Sequence, residues 1–203
     1  MVEIAHRERV MTAAHLPADN IVAVLYEQHA HIGDQFDVVA GSAGAAERSA
    51  AFDTLRELIA SHEAAEDVVL HRVTEKLLPA GLTRARDDEE ESIVRELADL
   101  EREPVDGPGF VARLRLFEQS FTMHAAHEET EDFPAVLTEL SEQEQAELGR
   151  WMRRANRSVS THPQHPHPAP AGRPVGDAAF GTGTFAALYD EARDRLTRTS
   201  QGA

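Results

Sequence analysis

Apolar side chains recur along this chain at steps of three and four residues, the spacing of one helix face. Phe110, Leu114, Phe117 and Phe121 form one stripe, and the next two positions in its rhythm are His124 and Glu128. Phe52, Leu55, Leu58 and Ile59 form another, which runs into His62 and Glu66 and then Val69 and Val73. Val22, Leu25, Ile32, Phe36 and Val39 make a third with His29 in its middle. Ile93, Val94, Leu97 and Leu100 make a fourth, which projects back one turn onto Glu90. No strand-like alternation competes with these stripes.

Turn and breaker residues separate them. The first helix is expected from Pro17, acceptable in a first turn, to about Ala40, closed by Gly41-Ser42-Ala43-Gly44. The second should run from Ala45 to Leu78, stopped by Pro79 and Gly81, and the third from Thr83 to Glu101. Pro104 to Gly109 is a clear break, with Pro108 placed to start a fourth helix that kinks or ends near Pro134. Ser141-Glu-Gln-Glu144 reads as a capping box for a shorter fifth helix to about Arg157.

Four amphipathic helices joined by short breaks make antiparallel neighbours. The expected fold is therefore all-α, an antiparallel up-down-up-down four-helix bundle with a short fifth helix and a C-terminal tail. Residues 1–16 read as a flexible lead-in without chemistry despite His6 and His15, and residues 17–157 as the bundle. Residues 158–203 read as a His/Pro/Gly-rich linker, with His162, His165 and His167 solvated, and a short C-terminal helix from Phe185 to Thr199.

Composition narrows the class. The 203 residues carry 20 Lys and Arg against 36 Asp and Glu, a formal net charge of -16, which disfavours nucleic acid and anionic membranes and suits cations. The absence of Cys removes disulfides, thiolate zinc sites, iron-sulfur clusters and Cys nucleophiles together. No run is apolar for long enough to cross a bilayer, and the first sixteen residues lack the hydrophobic middle of a signal peptide. A soluble, cytoplasmic protein is the expectation.

The chemistry lies where grease gives way to ligands. In a bundle the four stripes face one interior, so His29, His62, Glu66, Glu90, His124 and Glu128 can converge there. A buried carboxylate needs a partner or a metal. Taken singly, each of these residues has a bland reading: a hydrogen-bonded core His, or a Glu paired with an Arg. The repetition of His-x-x-x-Glu in mid-stripe on two helices argues for metal, because residues four apart share a face and one helix can offer both a nitrogen and a bridging carboxylate. Two such helices make a two-metal site. Nitrogen and oxygen ligands without sulfur suit iron first and manganese second, or a mixed pair. His127 and Glu131 repeat the spacing about 100° off the stripe, which places them at the rim or behind the ligands. The acidic run Asp87-Asp88-Glu89-Glu90-Glu91 reads as a solvated face apart from Glu90, and His31 and His71 fall on outward faces.

These residues resemble the hemerythrin-like proteins with a cation-binding His-His-Glu domain. The likeness rests on Leu25-Tyr-Glu-Gln-His29-Ala-His-Ile32, on His62-Glu-Ala-Ala-Glu66-Asp-Val-Val, and on His124-Ala-Ala-His-Glu128-Glu followed by Phe133-Pro134, and covers roughly residues 18–140. It implies a four-helix bundle holding a non-haem di-iron centre, with His29, His62 and His124 as terminal imidazoles and Glu66 and Glu128 as bridging carboxylates. Two departures stand out. Glu90 occupies the region where members often have another His, which makes the site richer in carboxylate. Arg72 stands where the second motif would have Pro ten residues after its His, which should leave that helix straighter than its counterpart. The family spans oxygen carriage and sensing, iron handling and scavenging of peroxide or nitric oxide. The function expected is thus a di-iron protein binding dioxygen, peroxide or nitric oxide under oxidative or nitrosative stress, with catalase-like or nitric oxide scavenging activity left open. An iron- or oxygen-dependent sensor acting through a protein partner is the alternative, and a metal-free structural bundle a third.

Overall fold

The computed structural model describes residues 2–160 together with 189, 190, 193, 194 and 197, and among these every regular element is a helix. The elements are α1 (Val2–Ala13), α2 (Ile21–Gly41), α3 (Ala45–Ala65), α4 (His71–Leu77), α5 (Ala80–Leu100), α6 (Phe110–His127), α7 (Phe133–Glu139) and α8 (Glu142–Ser160). Two five-residue π turns, Glu66–Leu70 and Glu128–Asp132, splice α3 to α4 and α6 to α7 into two long continuous helices. The main bundle therefore consists of α2, the α3–α4 helix, α5 and the α6–α7 helix, as the four stripes predict.

Local chemistry sets the ends. Asn20 caps α2 by accepting from the Val22 amide at 2.8 Å, so the helix starts four residues later than Pro17 suggests, at Ile21, and the Asn20 amide donates to Gln145 of α8 at 2.6 Å. Pro79 precedes α5 and Gly81 lies inside its first turn, so the helix expected from Thr83 begins at Ala80. Ser141 and Glu144 do form the capping box: the Ser141 amide donates to the Glu144 carboxylate at 2.8 Å and the Glu144 amide to the Ser141 hydroxyl at 3.3 Å. The helix they start is not short, however. It extends over 19 residues and packs across α2 and α3. That contact is close enough that a Cβ on Gly149 would sit 2.0 Å from the Asp19 carbonyl oxygen.

Residues 2–13, read from sequence as part of a flexible lead-in, are helical. Their polarity hides the reason, since α1 packs on α2 and is tied through a charge: Arg9 Nε donates to Glu129 at 2.6 Å. Of the expected C-terminal helix, the described residues 189, 190, 193, 194 and 197 are helical, while the linker with His162, His165 and His167 lies outside the described residues.

The interior is layered along the bundle axis. One apolar cluster takes Ile32, Phe36, Phe52, Leu55, Ile59, Ile93, Leu97, Phe110, Leu114, Phe117 and Phe121 from all four main helices. A second takes Ile21, Val22, Leu25, Ala64, Ala65, Val68, Val69, Phe133 and Val136, with Met152 of α8. Between them, on α2, α3 and α6, lie His29, His62 and His124. The helices pass from grease through a polar layer and back into grease.

Candidate metal centre

Five of the six residues singled out from sequence meet in that polar layer. His29, His62, Glu66, His124 and Glu128 are all 2% exposed or less. His29, His62, Glu66 and Glu128 each bring a ligand atom within 4.8 Å of one another, and so do Glu63, Glu66 and His124. Glu66 belongs to both sets. His62 Nε2 stands 3.3 Å from Glu66 Oε1, while Glu128 Oε2 faces His29 Nε2 at 3.2 Å and His124 Nε2 at 3.6 Å.

The outer atoms of each imidazole are already engaged. His29 Nδ1 donates to Glu129 at 2.8 Å, His62 Nδ1 to the Gln28 side-chain oxygen Oε1 at 2.8 Å, and His124 Nδ1 faces Glu89 at 3.4 Å. A partner that can only accept fixes the proton on Nδ1 and leaves Nε2 with a bare lone pair. All three Nε2 atoms point into the layer, and none has a hydrogen-bond partner. Both oxygens of Glu63, Glu66 and Glu128 are likewise buried without one. Such atoms cost about 1–3 kcal/mol each when left uncompensated, more when charged. A divalent cation compensates them together, so the donor set fits a metal.

The electrostatics agree. Burial, then the neighbouring Glu128, pushes the Glu66 carboxyl well above its ordinary range, and burial foremost lifts Glu63 to about 8. Burial, with His29 beside it, holds His62 well below its usual value. Glu128 behaves differently: burial would raise it, but the charge of His124 holds it below its ordinary range, and Glu128 in turn lifts His124 against its burial, so one ion pair stands among carboxyls that burial keeps neutral without a cation. Aromatic rings keep it dry: Phe133 stacks on His29 at 5.8 Å and 14°, and Phe121 meets His29 edge-on at 6.2 Å.

Glu90 is the exception among the expected ligands. It falls outside both sets, and its Oε1 lies 2.5 Å from His71 Nε2. The reason is the first π turn. Uninterrupted α-helix would put His71 on the side opposite His62, but the residue inserted by a π turn takes out about 100° and brings the ring round to α5. His71 is therefore half-buried against Glu90, where the sequence pattern puts it outside. The same turn begins at Glu128, so the straighter helix expected after His62 from Arg72 is not seen in the helix type: the His62 and His124 motifs both break into a π turn at their glutamate.

Three carboxylates escape a stripe reading. Glu63 lies beside His62 and off the apolar line, yet residues 59–66 are all buried, and the small side chains Ala60, Ser61, Ala64 and Ala65 are the signal that α3 is enclosed on every side there. Glu89, in the acidic run, accepts from His127 Nδ1 at 2.8 Å as well as facing His124. It is held by Arg86 at 2.7 Å, a buried guanidinium that also pairs with Glu131 and Asp132. Glu129 Oε1 accepts from both His29 Nδ1 and Arg9 Nε. His127 and Glu131 thus stand at the rim, as their angular offset predicts.

Comparison with known proteins follows the same lines. A family model described as Hemerythrin HHE cation binding domain matches residues 20–136, more than half of the chain. Among solved structures, the crystal structure of a hemerythrin HHE cation binding domain-containing protein from Mycobacterium kansasii is similar in fold, at 24% identity and a TM-score of 0.62 over 69% of this chain and 86% of that one. No curated protein matches significantly.

Proposed function

Because this chain belongs to the hemerythrin HHE cation binding domain family, we propose that its polar layer holds two iron ions and binds dioxygen, peroxide or nitric oxide. The observation that carries the reading is the convergence of three bare imidazole nitrogens and three orphaned carboxylates on one buried layer. His29, His62 and His124 would act as terminal nitrogen ligands, Glu66 and Glu128 as the shared carboxylates, and Glu63 as a further oxygen ligand beside His124. Manganese suits the same donors as the alternative metal. Once bound, the ions would supply redox and Lewis-acid chemistry toward small oxygen and nitrogen species.

The chain's own residues do the rest. Glu129, Gln28 and Glu89 orient the three imidazoles, and Phe121 and Phe133 exclude water around them. Such a centre would serve in the cytoplasm as a scavenger or carrier during oxidative or nitrosative stress. The cysteine-free composition and the lack, among the described residues, of any helix long and apolar enough to cross a membrane accord with this. Iron-loaded protein should remove hydrogen peroxide catalytically, with the rate lost in His62→Ala and Glu128→Ala. A rate no higher than that of free iron, unaltered by either substitution, would dismiss scavenging of peroxide.

An iron- or oxygen-dependent sensor is the second reading. It is favoured by one contact, between Arg193 and Asp67 of the π turn that carries Glu66. A change in protease sensitivity of the C-terminal residues on metal loading would support it, and identical digestion with and without metal would count against it.

A further inference from the structure

The three imidazoles of the layer rest on unequal partners. His62 Nδ1 is held by a neutral amide, Gln28, whereas His29 and His124 face carboxylates, Glu129 and Glu89. Each of those carboxylates is in turn held by a buried arginine, Arg9 or Arg86, and in each the guanidinium and the imidazole share one oxygen. Glu129 Oε1 accepts from His29 Nδ1 at 2.8 Å and from Arg9 Nε at 2.6 Å. Glu89 Oε2 accepts from Arg86 at 2.7 Å and faces His124 Nδ1 at 3.4 Å. An oxygen that a guanidinium already polarises draws less on an imidazole proton, so Nε2 of that ring donates less charge to a metal. The two relays differ in strength. Arg86 divides its charge among Glu89, Glu131 and Asp132. The Arg9 relay is the tighter at both contacts, and it comes from α1, outside the residues 20–136 that match the cation-binding domain.

We infer that Arg9 is a positioning residue of the metal centre: through the Glu129 oxygen that it shares with His29, it weakens His29 as a donor and biases the bound metal toward its reduced state. The inference rests on the metal-centre reading. The sign follows from charge. Reduction adds an electron, which a nearby cation and a weaker-donating imidazole both favour, while a carboxylate without its arginine behind the ring favours the oxidised ion. Burial makes the effect count, since Arg9 is 8% exposed and its charge is little screened by water. α1 thus acts on the centre from outside the proposed ligand set.

The test is the reduction potential of the full chain loaded with iron, read by spectroelectrochemistry, with iron stoichiometry and helicity measured on each variant. Arg9→Gln should shift the balance roughly tenfold toward the oxidised centre, a potential about 59 mV lower for one electron. Glu129→Gln should move it the other way, because a neutral amide accepts the His29 proton less strongly than a carboxylate does. A site only loosened by these substitutions has no reason to answer them with opposite signs. Arg9→Gln made together with Glu129→Gln should have a smaller effect than Arg9→Gln alone, since the carboxylate that relays it is gone. Arg9→Lys, which keeps the charge, should stay within roughly threefold of the native balance. Should Arg9→Gln lose helicity, Glu129→Gln and Arg9→Lys carry the comparison, and a potential that fails to rise in Glu129→Gln would overturn the relay. A native potential in Arg9→Gln at full loading, or shifts of the same sign in Arg9→Gln and Glu129→Gln, would overturn it too and leave the metal centre standing. A native chain that takes up no iron would overturn the metal-centre reading, and the relay with it.

Discussion

At the scale of single residues, the site separates carboxylates that face the layer from those that orient or flank it. Glu63 presents two orphaned oxygens to the layer, whereas Glu90 is engaged by His71. Glu63→Ala should therefore lower the metal bound per chain, and Glu90→Ala should leave it unchanged, as read by elemental analysis of both variants. The reverse outcome would restore Glu90 as a ligand. His71 makes a pH-dependent contribution of its own. Burial would lower its pKa, but the hydrogen bond and charge of Glu90 outweigh it and raise the imidazole to about 9, above its ordinary 6.5. A raised folded-state value means the stabilisation is complete below pH 6.5 and lost as pH climbs through 9, with an upper limit of about 3 kcal/mol. Urea unfolding of metal-free protein should show the native chain losing its advantage over His71→Gln across that window. A constant difference from pH 6 to 10 would mean the pair contributes nothing.

At the scale of elements, the stripes predict the four main helices, and five of the six proposed ligands fall where those stripes put them. Periodicity succeeds at His29, His62 and His124 because each continues an apolar line into the interior. It fails where the helix stops being regular. Nothing in Glu66-Asp-Val-Val-Leu70 announces a π turn, and the residues of α4 beyond it are rotated, which is why the pattern puts His71 outside and misses its pairing with Glu90. It also fails for α1, which carries the Arg9 contact with Glu129 among its described residues. The second π turn can be tested directly. Deleting exposed Thr130 would take out the inserted residue and restore regular α-helix with Phe133 and Val136 still facing the core, so stability should change by less than about 1 kcal/mol in urea unfolding. A loss of about 3–5 kcal/mol, that of turning Phe133 out of the core, would mean that the π turn does not absorb an extra residue. Gly149 gives a simpler expectation. Its missing Cβ makes room for the Asp19 carbonyl, so Gly149→Ala should destabilise by about 1–3 kcal/mol, measured by thermal or urea unfolding, as α8 is pushed off the start of α2.

At the scale of the whole molecule, a layer of buried acids and imidazoles between two apolar clusters is a poor way to stabilise a bundle and a good way to hold a cation. Replacing Glu66 by Gln should raise the thermal stability of the metal-free protein, by about 1–3 kcal/mol, while lowering metal uptake, since burial and repulsion from Glu128 make a carboxylate costly there. Metal should also stabilise the native chain: at a hundredfold excess over its dissociation constant it adds about 2.7 kcal/mol per site.

All of this depends on the layer being a metal centre, and elemental analysis of the chain purified without chelator tests that most directly. Two iron atoms per chain, falling away in His62→Ala and Glu128→Ala while helicity persists, is the result the convergence of His29, His62, Glu63, Glu66, His124 and Glu128 leads us to expect. A fully helical, stable chain that carries no metal and takes none up when iron or manganese is offered would contradict it.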